Sequence, residues 1–173
     1  MKFSLIGLAG IVAAASTSQA AFFLEAEGNN TSGTANPVGV YAPPGDAFLV
    51  DGSISPLGDQ DWFIFSVTGP AEIKAAVYGR PNSTIGDSFL ELYDAVPALI
   101  TSDDDDNIGK FSSLEANVPA GTYYLRVLAG PRSTSIDATF DYKLVVGINI
   151  VPAPGSLCVA GLGGLMAARR KRS

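Results

Sequence analysis

The chain contains short runs of β-branched and aromatic residues between turn-forming residues, and this pattern restricts it to an all-β fold. In the run Trp62-Phe63-Ile64-Phe65-Ser66-Val67, successive side chains point to opposite faces of a strand. We expect Phe63, Phe65 and Val67 to face the core. Residues 21–150 hold no 3.6-residue apolar period over 11 residues, so we expect no helix there.

Seven such runs are separated by Gly, Pro, Asn and Asp. They cover residues 47–54, 62–67, 72–78, 88–93, 111–117, 122–128 and 140–148. Short strands at this spacing predict an antiparallel β-sandwich of the jelly-roll type. The polar, Gly-rich residues 28–44 are predicted to form a long connection.

The N-terminus has the layout of a secretory signal peptide. Lys2 supplies the positive charge, residues 3–15 are apolar, and Ser18-Gln19-Ala20 is a small-x-small cleavage site. We expect residues 1–20 to be a helical signal peptide and the protein to be exported. The single cysteine, Cys158, lies in the C-terminal tail, so the mature domain would contain no disulfide.

The C-terminus has three parts that suggest a second sorting signal. Val151-Pro152-Ala153-Pro154 interrupts the chain, residues 157–168 are apolar, and residues 169–172 are basic. As a short hydrophobic helix the apolar part would measure about 18 Å, whereas a bilayer core is about 30 Å thick. The tail therefore fits transient membrane contact, with its basic end on the cytoplasmic side.

This arrangement resembles the PEP-CTERM sorting signal of Gram-negative-type bacteria, which exosortase enzymes process. The resemblance covers residues 151–172 and departs from the family at Ala153, where glutamate is usual. It implies an exosortase-type partner, removal of a sorting tail at residues 151–173, and deposition at the outer cell surface or in the extracellular matrix. Proteins with this signal often accompany exopolysaccharide or biofilm. A weak C-terminal membrane anchor is the alternative.

Removal of both ends leaves one acidic domain, residues 21–150. The ends hold five of the 11 basic residues and none of the 17 acidic ones, so the domain keeps a formal charge of −11, which repels nucleic acid. The chain has no histidine, which excludes Ser-His-Asp and Cys-His catalysis and typical zinc sites. A pair of carboxylates for glycoside hydrolysis is still compatible with the sequence. However, no feature of the sequence identifies such a pair, and we expect the protein not to be an enzyme.

Three stretches carry a second resemblance. The first begins at Glu25-Ala26-Glu27-Gly28-Asn29-Asn30. The second begins at Asp51 and includes Asp59-Gln60-Asp61-Trp62-Phe63, and the third begins at Leu90 and includes residues 103–106 and Pro119-Ala120-Gly121-Thr122-Tyr123-Tyr124. Their order and spacing are similar to those of the bacterial pre-peptidase C-terminal (PPC) domain, a β-sandwich often attached to secreted proteases and found in collagen-binding modules of clostridial collagenases. The match spans residues 25–146.

Oxygen-bearing side chains in two of these stretches suit a hard cation. Glu25, Glu27 and Asn29 would point the same way in an extended segment, and calcium takes six to eight oxygen ligands. In collagen-binding members of the family, calcium lies between the corresponding stretches. The resemblance therefore implies a calcium site formed by Glu25, Glu27, Asn29, Asn30, Asp59 and Asp61. A solvated acidic segment and a metal-free Asp-rich turn are the alternative.

The run Asp103-Asp104-Asp105-Asp106-Asn107 is the densest acidic cluster. An EF-hand-like spacing makes Asp104 and Asp106 a possible second, weak cation site, but Ile108 occupies one of the ligand positions. A hairpin loop with a solvated charge run is the preferred interpretation.

Three functions remain open at this point. The first is a non-enzymatic surface or matrix protein. The second is a calcium-dependent binding module for an extracellular polysaccharide or protein, and the third is an accessory to a secreted hydrolase. Tyrosines that are candidates for sugar or peptide contact, although packing is their default role, are Tyr41, Tyr78, Tyr93, Tyr123 and Tyr124.

Overall fold

A computed structural model describes residues 20–80 and 85–151, and this part of the chain forms two five-stranded sheets. The first strands in the chain are β1 Ala20–Leu24, β2 Asn36–Tyr41, β3 Asp46–Ile54, β4 Gln60–Val67 and β5 Ala71–Gly79. They are followed by β6 Ser88–Tyr93, β7 Leu99–Asp103, β8 Ser113–Val118, β9 Gly121–Ala129 and β10 Phe140–Ile150. A single 3-10 turn in this part of the chain, Ser32–Thr34, precedes β2.

Each sheet is mixed rather than purely antiparallel. The first sheet has the strand order β1-β3-β10-β5-β8, and the second has β2-β4-β9-β6-β7. At one edge of each sheet a parallel strand is added, because β1 runs parallel to β3 and β2 runs parallel to β4. The predicted β-sandwich is therefore confirmed, whereas the prediction that all of its strands are antiparallel is wrong. The chain crosses between sheets from β1 to β2 to β3 to β4, so neither parallel pair is a hairpin.

All seven predicted runs are strands, and three further strands were not expected. The strand β2 lies within the predicted connection at residues 28–44, where Pro37 and Gly39 weaken the strand signal. Its pairing with β4 shifts register between these two residues, and Gly39 has φ 116°. The strand β1 begins at Ala20, the residue predicted to end the signal peptide.

The predicted signal helix and C-terminal helix lie outside the described residues. Within residues 20–80 and 85–151, no helix has the length and hydropathy of a membrane span. Val151 is the last described residue, so Pro152, Ala153 and Pro154 also lie outside.

The hydrophobic core lies between the two sheets. Phe63, Phe65 and Val67 of β4 are 0%, 1% and 3% exposed and belong to this core, which confirms the predicted facing. The ring of Phe65 packs against those of Phe48 and Tyr123, with centroids 5.5 and 6.0 Å apart. Trp62 lies on the opposite face of β4. It is buried by neighbouring aromatic rings on that face and not by the core.

Candidate metal centre

The two acidic stretches singled out from the sequence meet at the start of β4. The amide of Glu25 donates to the carbonyl oxygen of Asp51 at 2.9 Å, which continues the pairing of β1 with β3. The amide of Trp62 donates to the carbonyl oxygen of Asn29 at 3.1 Å. The first bond holds the segment after β1 against β3, and the second holds it against the start of β4, which carries Asp61 and directly follows Asp59.

Asp61 is the most deeply placed of these acids. It is 0% exposed, and its Oδ2 accepts a 2.6 Å hydrogen bond from the hydroxyl of Tyr142. Its Oδ1 is buried and has no hydrogen-bond partner among the described residues. Burial raises the pKa of Asp61 to about 8, against the opposing effect of the Tyr142 bond, and the charges of Glu25, Asp59 and Glu27 contribute to the rise.

Glu25 lies in the same electrostatic environment. Burial raises its pKa to about 7, and the negative charges of Glu27 and Asp59 raise it further. Its Oε1 is buried without a hydrogen-bond partner in the described chain. The structure thus places four carboxylates close enough to repel one another, two of them with buried oxygens that lack a donor.

Asn29 adds a buried amide oxygen to this group. The residue is 0% exposed, and its Nδ2 donates to Asn36 Oδ1 at 3.2 Å. Because this bond assigns the nitrogen, the remaining atom is the acceptor Oδ1, which has no donor in the described part of the chain. Asn36 Oδ1 also accepts the amide of Ala26 at 2.9 Å, which fixes the side chain that orients Asn29.

Asp59 is buried and Asn30 is exposed, and the two side chains lie next to each other. Asp59 accepts backbone amides from Ser55 on Oδ2 and from Gln60 on Oδ1, both at 2.9 Å. One terminal atom of the Asn30 amide lies 3.0 Å from Asp59 Oδ1 and 3.1 Å from the carbonyl oxygen of Gln60. With nitrogen in that position the amide donates to both oxygens, and this orientation satisfies both ends of the Asn30 amide.

The donor types of this cluster suit a calcium ion, although among the described residues only Asp87, Asp104 and Asp105 bring three carboxylate oxygens within 4.8 Å of one another. Glu25 Oε1, Asn29 Oδ1 and Asp61 Oδ1 are buried acceptors with no donor in the described residues, and such an acceptor costs about 1–3 kcal/mol. A cation would satisfy these oxygens and offset the repulsion among the carboxylates. Carboxylate and amide oxygens without histidine or cysteine suit calcium rather than zinc.

Two residues of this site were not found from the sequence. Tyr142 reaches Asp61 from β10, which is 81 residues away in the chain. Gly52 of β3 pairs with Tyr142, and a Cβ at Gly52 would lie 2.5 Å from the Tyr142 hydroxyl oxygen. Because Gly52 has no side chain, the phenol of Tyr142 can occupy that space. No local sequence motif indicates the role of Gly52 or of Tyr142.

The acidic loop after β7 forms a separate group. Carboxylate oxygens of Asp87, Asp104 and Asp105 lie within 4.8 Å of one another. Asp106, which the sequence paired with Asp104, instead donates its backbone amide to Asp103 Oδ2 at 3.1 Å. Asp104 Oδ1 is also buried without a donor in the described residues. Lys110 Nζ lies 3.4 Å from Asp87 Oδ2, so an ammonium group already offsets part of the charge of this group.

No protein-family model matches the chain, and no curated protein matches it. Among solved structures, the chain is similar to the pre-peptidase C-terminal domain of a collagenase from Bacillus anthracis, at 18% identity over 66% of this chain and 94% of that one, with a TM-score of 0.46. It is similar to the Aeromonas hydrophila periplasmic g-type lysozyme inhibitor PliG, at 13% identity over 77% and 100% of the two chains, with a TM-score of 0.45. It is also similar to the Yersinia pseudotuberculosis-derived mitogen, at 16% identity over 65% and 92%, with a TM-score of 0.43.

Proposed function

We propose that this chain is an exported, non-catalytic protein of the cell surface or extracellular matrix whose β-sandwich is stabilised by calcium. The observation that supports the calcium site is the set of three buried oxygens without donors, on Glu25, Asn29 and Asp61. These three residues are among the six to which the resemblance of the sequence to the PPC domain assigns a calcium ion.

Calcium at this position would cross-link elements that are far apart in the chain. Glu25 directly follows β1, whereas Asp61 lies in β4 and is bonded to Tyr142 of β10. An ion bound to both Glu25 and Asp61 would hold the N-terminal strand against both sheets. The mature domain has no cysteine, so a metal would supply the cross-link that disulfides supply in many exported domains.

The export and sorting part of the proposal depends on the two ends of the sequence. The signal-peptide layout around Ala20 supports export, and the tail at residues 151–173 supports processing by an exosortase-type enzyme. Its association with exopolysaccharide or biofilm comes from the resemblance of that tail alone. The lack of histidine supports a role without Ser-His-Asp or Cys-His catalysis.

Calorimetric titration of calcium into metal-free protein tests the proposed site. We expect one binding event, with the weak affinity typical of extracellular calcium modules, about 10⁻⁴–10⁻³ M. Asp61→Asn keeps the size of the side chain and an acceptor for Tyr142 but removes a charge, and it should abolish the binding heat.

Asp104→Asn is the matched control, because it neutralises one aspartate in the separate acidic loop. It should bind calcium as the unaltered protein does. Unchanged heat in Asp61→Asn, or loss of heat only in Asp104→Asn, would assign calcium elsewhere and contradict the proposal.

A further inference from the structure

A row of largely apolar side chains crosses the outer face of the second sheet. Pairing registers place its members directly opposite one another on all five strands, and we call them the outer row: Pro37, Ile64, Tyr124, Tyr93 and Leu99. Adjacent strands are about 4.8 Å apart, so the row is about 19 Å long. Leu99 is 53% exposed, and the two tyrosines are half-buried.

The aromatic rings of this face are held in place by their neighbours. Trp62 stacks on Tyr93, with centroids 5.0 Å apart and 30° between planes, and meets Tyr124 edge-on at 6.2 Å. The guanidinium of Arg126 lies 5.1 Å from the Trp62 ring centre and 5.6 Å from that of Tyr93. Rings fixed in this way lose little conformational entropy when a ligand binds.

The face is electrically neutral although the domain is acidic. On the strands of this sheet, the charged side chains that point outward are Arg126 and Glu91, and they form an ion pair. Arg126 Nη1 also donates to Gln60 Oε1 at 3.1 Å. The formal charge of −11 on residues 21–150 therefore lies elsewhere, and it disfavours an acidic ligand on any face.

We infer that the outer row binds an uncharged polysaccharide whose chain lies across the strands. Sugar rings present C–H faces that pack on aromatic rings, and their hydroxyls can pair with the phenol groups of Tyr93 and Tyr124. An uncharged chain avoids both repulsion by the acidic domain and the cost of stripping water from an ion. This inference goes beyond the calcium site, because no residue of the outer row belongs to that site.

Native electrophoresis through gels that contain a polysaccharide tests this inference. Galactomannan, hydroxyethyl cellulose and dextran serve as uncharged probes, each with calcium and with chelator. Alginate serves as the acidic probe with chelator only, because calcium cross-links alginate. We expect retardation by at least one uncharged probe and none by alginate. Tyr93→Ala and Tyr124→Ala should each weaken the retardation about two- to tenfold, as removal of a stacked ring predicts.

Two further variants separate a binding effect from a folding effect. Leu99→Ser changes an exposed edge residue and should weaken retardation while the melting temperature stays unchanged. Tyr78→Ala removes a tyrosine that is 41% exposed on the other sheet, and it should leave retardation unchanged. Because each uncharged probe is run with and without calcium, a protein that binds no calcium would still give an interpretable result.

Three outcomes would overturn the inference. The first is no retardation by any uncharged probe, or retardation by alginate alone. The second is equal retardation of the unaltered protein and of the Tyr93, Tyr124 and Leu99 variants. The third is a ligand-free dimer in sedimentation velocity that Leu99→Ser dissociates, since this would assign the face to a second copy of the chain.

Discussion

The hydroxyl of Tyr142 donates a 2.6 Å hydrogen bond to Asp61 Oδ2, and this contact joins the two sheets inside the protein. Tyr142 belongs to β10 of the first sheet and Asp61 to β4 of the second. Both residues are 0% exposed. The bond satisfies one oxygen of the buried carboxyl group and leaves the other, Oδ1, without a donor among the described residues.

Tyr142→Phe should destabilise the metal-free protein by about 1–3 kcal/mol, because a buried carboxylate loses its donor. Urea unfolding in the presence of chelator measures this change. Tyr78→Phe, an exposed tyrosine in β5, is the matched control and should change stability by less than about 0.5 kcal/mol. Equal stability of Tyr142→Phe and the unaltered protein would mean that the bond contributes nothing.

Stability of the metal-free protein should fall as the pH rises from 5 to 8. The pKa of Asp61 rises from 3.8 to about 8 and that of Glu25 from 4.5 to about 7. In this window the folded state keeps protons that the unfolded chain has released, so increasing pH favours unfolding. Urea midpoints at pH 5 and pH 8 in chelator measure the change, and a higher midpoint at pH 8 would contradict it.

Calcium should reverse part of this pH dependence. The ion binds the deprotonated carboxylates and displaces their protons, so its stabilising effect is larger at pH 8 than at pH 5. Paired melts with and without calcium at the two pH values measure the difference. Asp61→Asn removes a titrating group and should flatten the dependence; an equal calcium shift at both pH values in the unaltered protein would argue against these carboxylates as ligands.

Phe65→Ala should cost about 3–5 kcal/mol, because the ring is 1% exposed and is surrounded by Phe48 and Tyr123. Val40→Ala in the neighbouring strand β2 is the control, since Val40 is 69% exposed. Denaturant unfolding of both variants measures the difference. A cost at Phe65 no larger than at Val40 would show that β4 does not present this face to the core.

The C-terminal tail is predicted to be absent from the protein recovered from its native cell, with Pro154 near the new end. The physical reason is an apolar stretch too short to span a bilayer, followed by a basic cluster. Intact mass of the protein from the envelope fraction measures this directly and also reports cleavage near Ala20. Full-length tails at unit stoichiometry would contradict the sorting role.

The sequence predicted the strands whose apolar residues alternate, because period-two patterns report burial on one face. Phe63, Phe65 and Val67 illustrate this, since each is buried as expected. The edge strands β1 and β2 escaped prediction. The strand β1 is uniformly apolar, without alternation, and adjoins the predicted signal peptide, and β2 contains Pro37 and Gly39. Their parallel pairing depends on chain crossings between sheets, which local patterns do not encode.

The residues of the candidate site also divide into those that the sequence predicted and those that it did not. Glu25, Glu27, Asn29 and Asn30 were singled out because they share one short segment with a regular spacing. Asp87 joins the other acidic group, with Asp104 and Asp105, from 17 residues away, and no local spacing indicated it. Contacts between distant residues follow from the tertiary fold, so the sequence indicated neither Asp87 nor Tyr142, which donates to Asp61.

Thermal unfolding of the protein with millimolar calcium and then with chelator tests the central claim most directly. At a calcium concentration about 100 times the dissociation constant, binding to the folded state alone adds about 2.7 kcal/mol. We predict a higher melting midpoint with calcium, a shift that disappears in Asp59→Ala and Glu27→Ala and persists in Asp104→Ala. Equal midpoints with calcium and with chelator would contradict the account, because the acidic segment after β1 would then be stable without a metal.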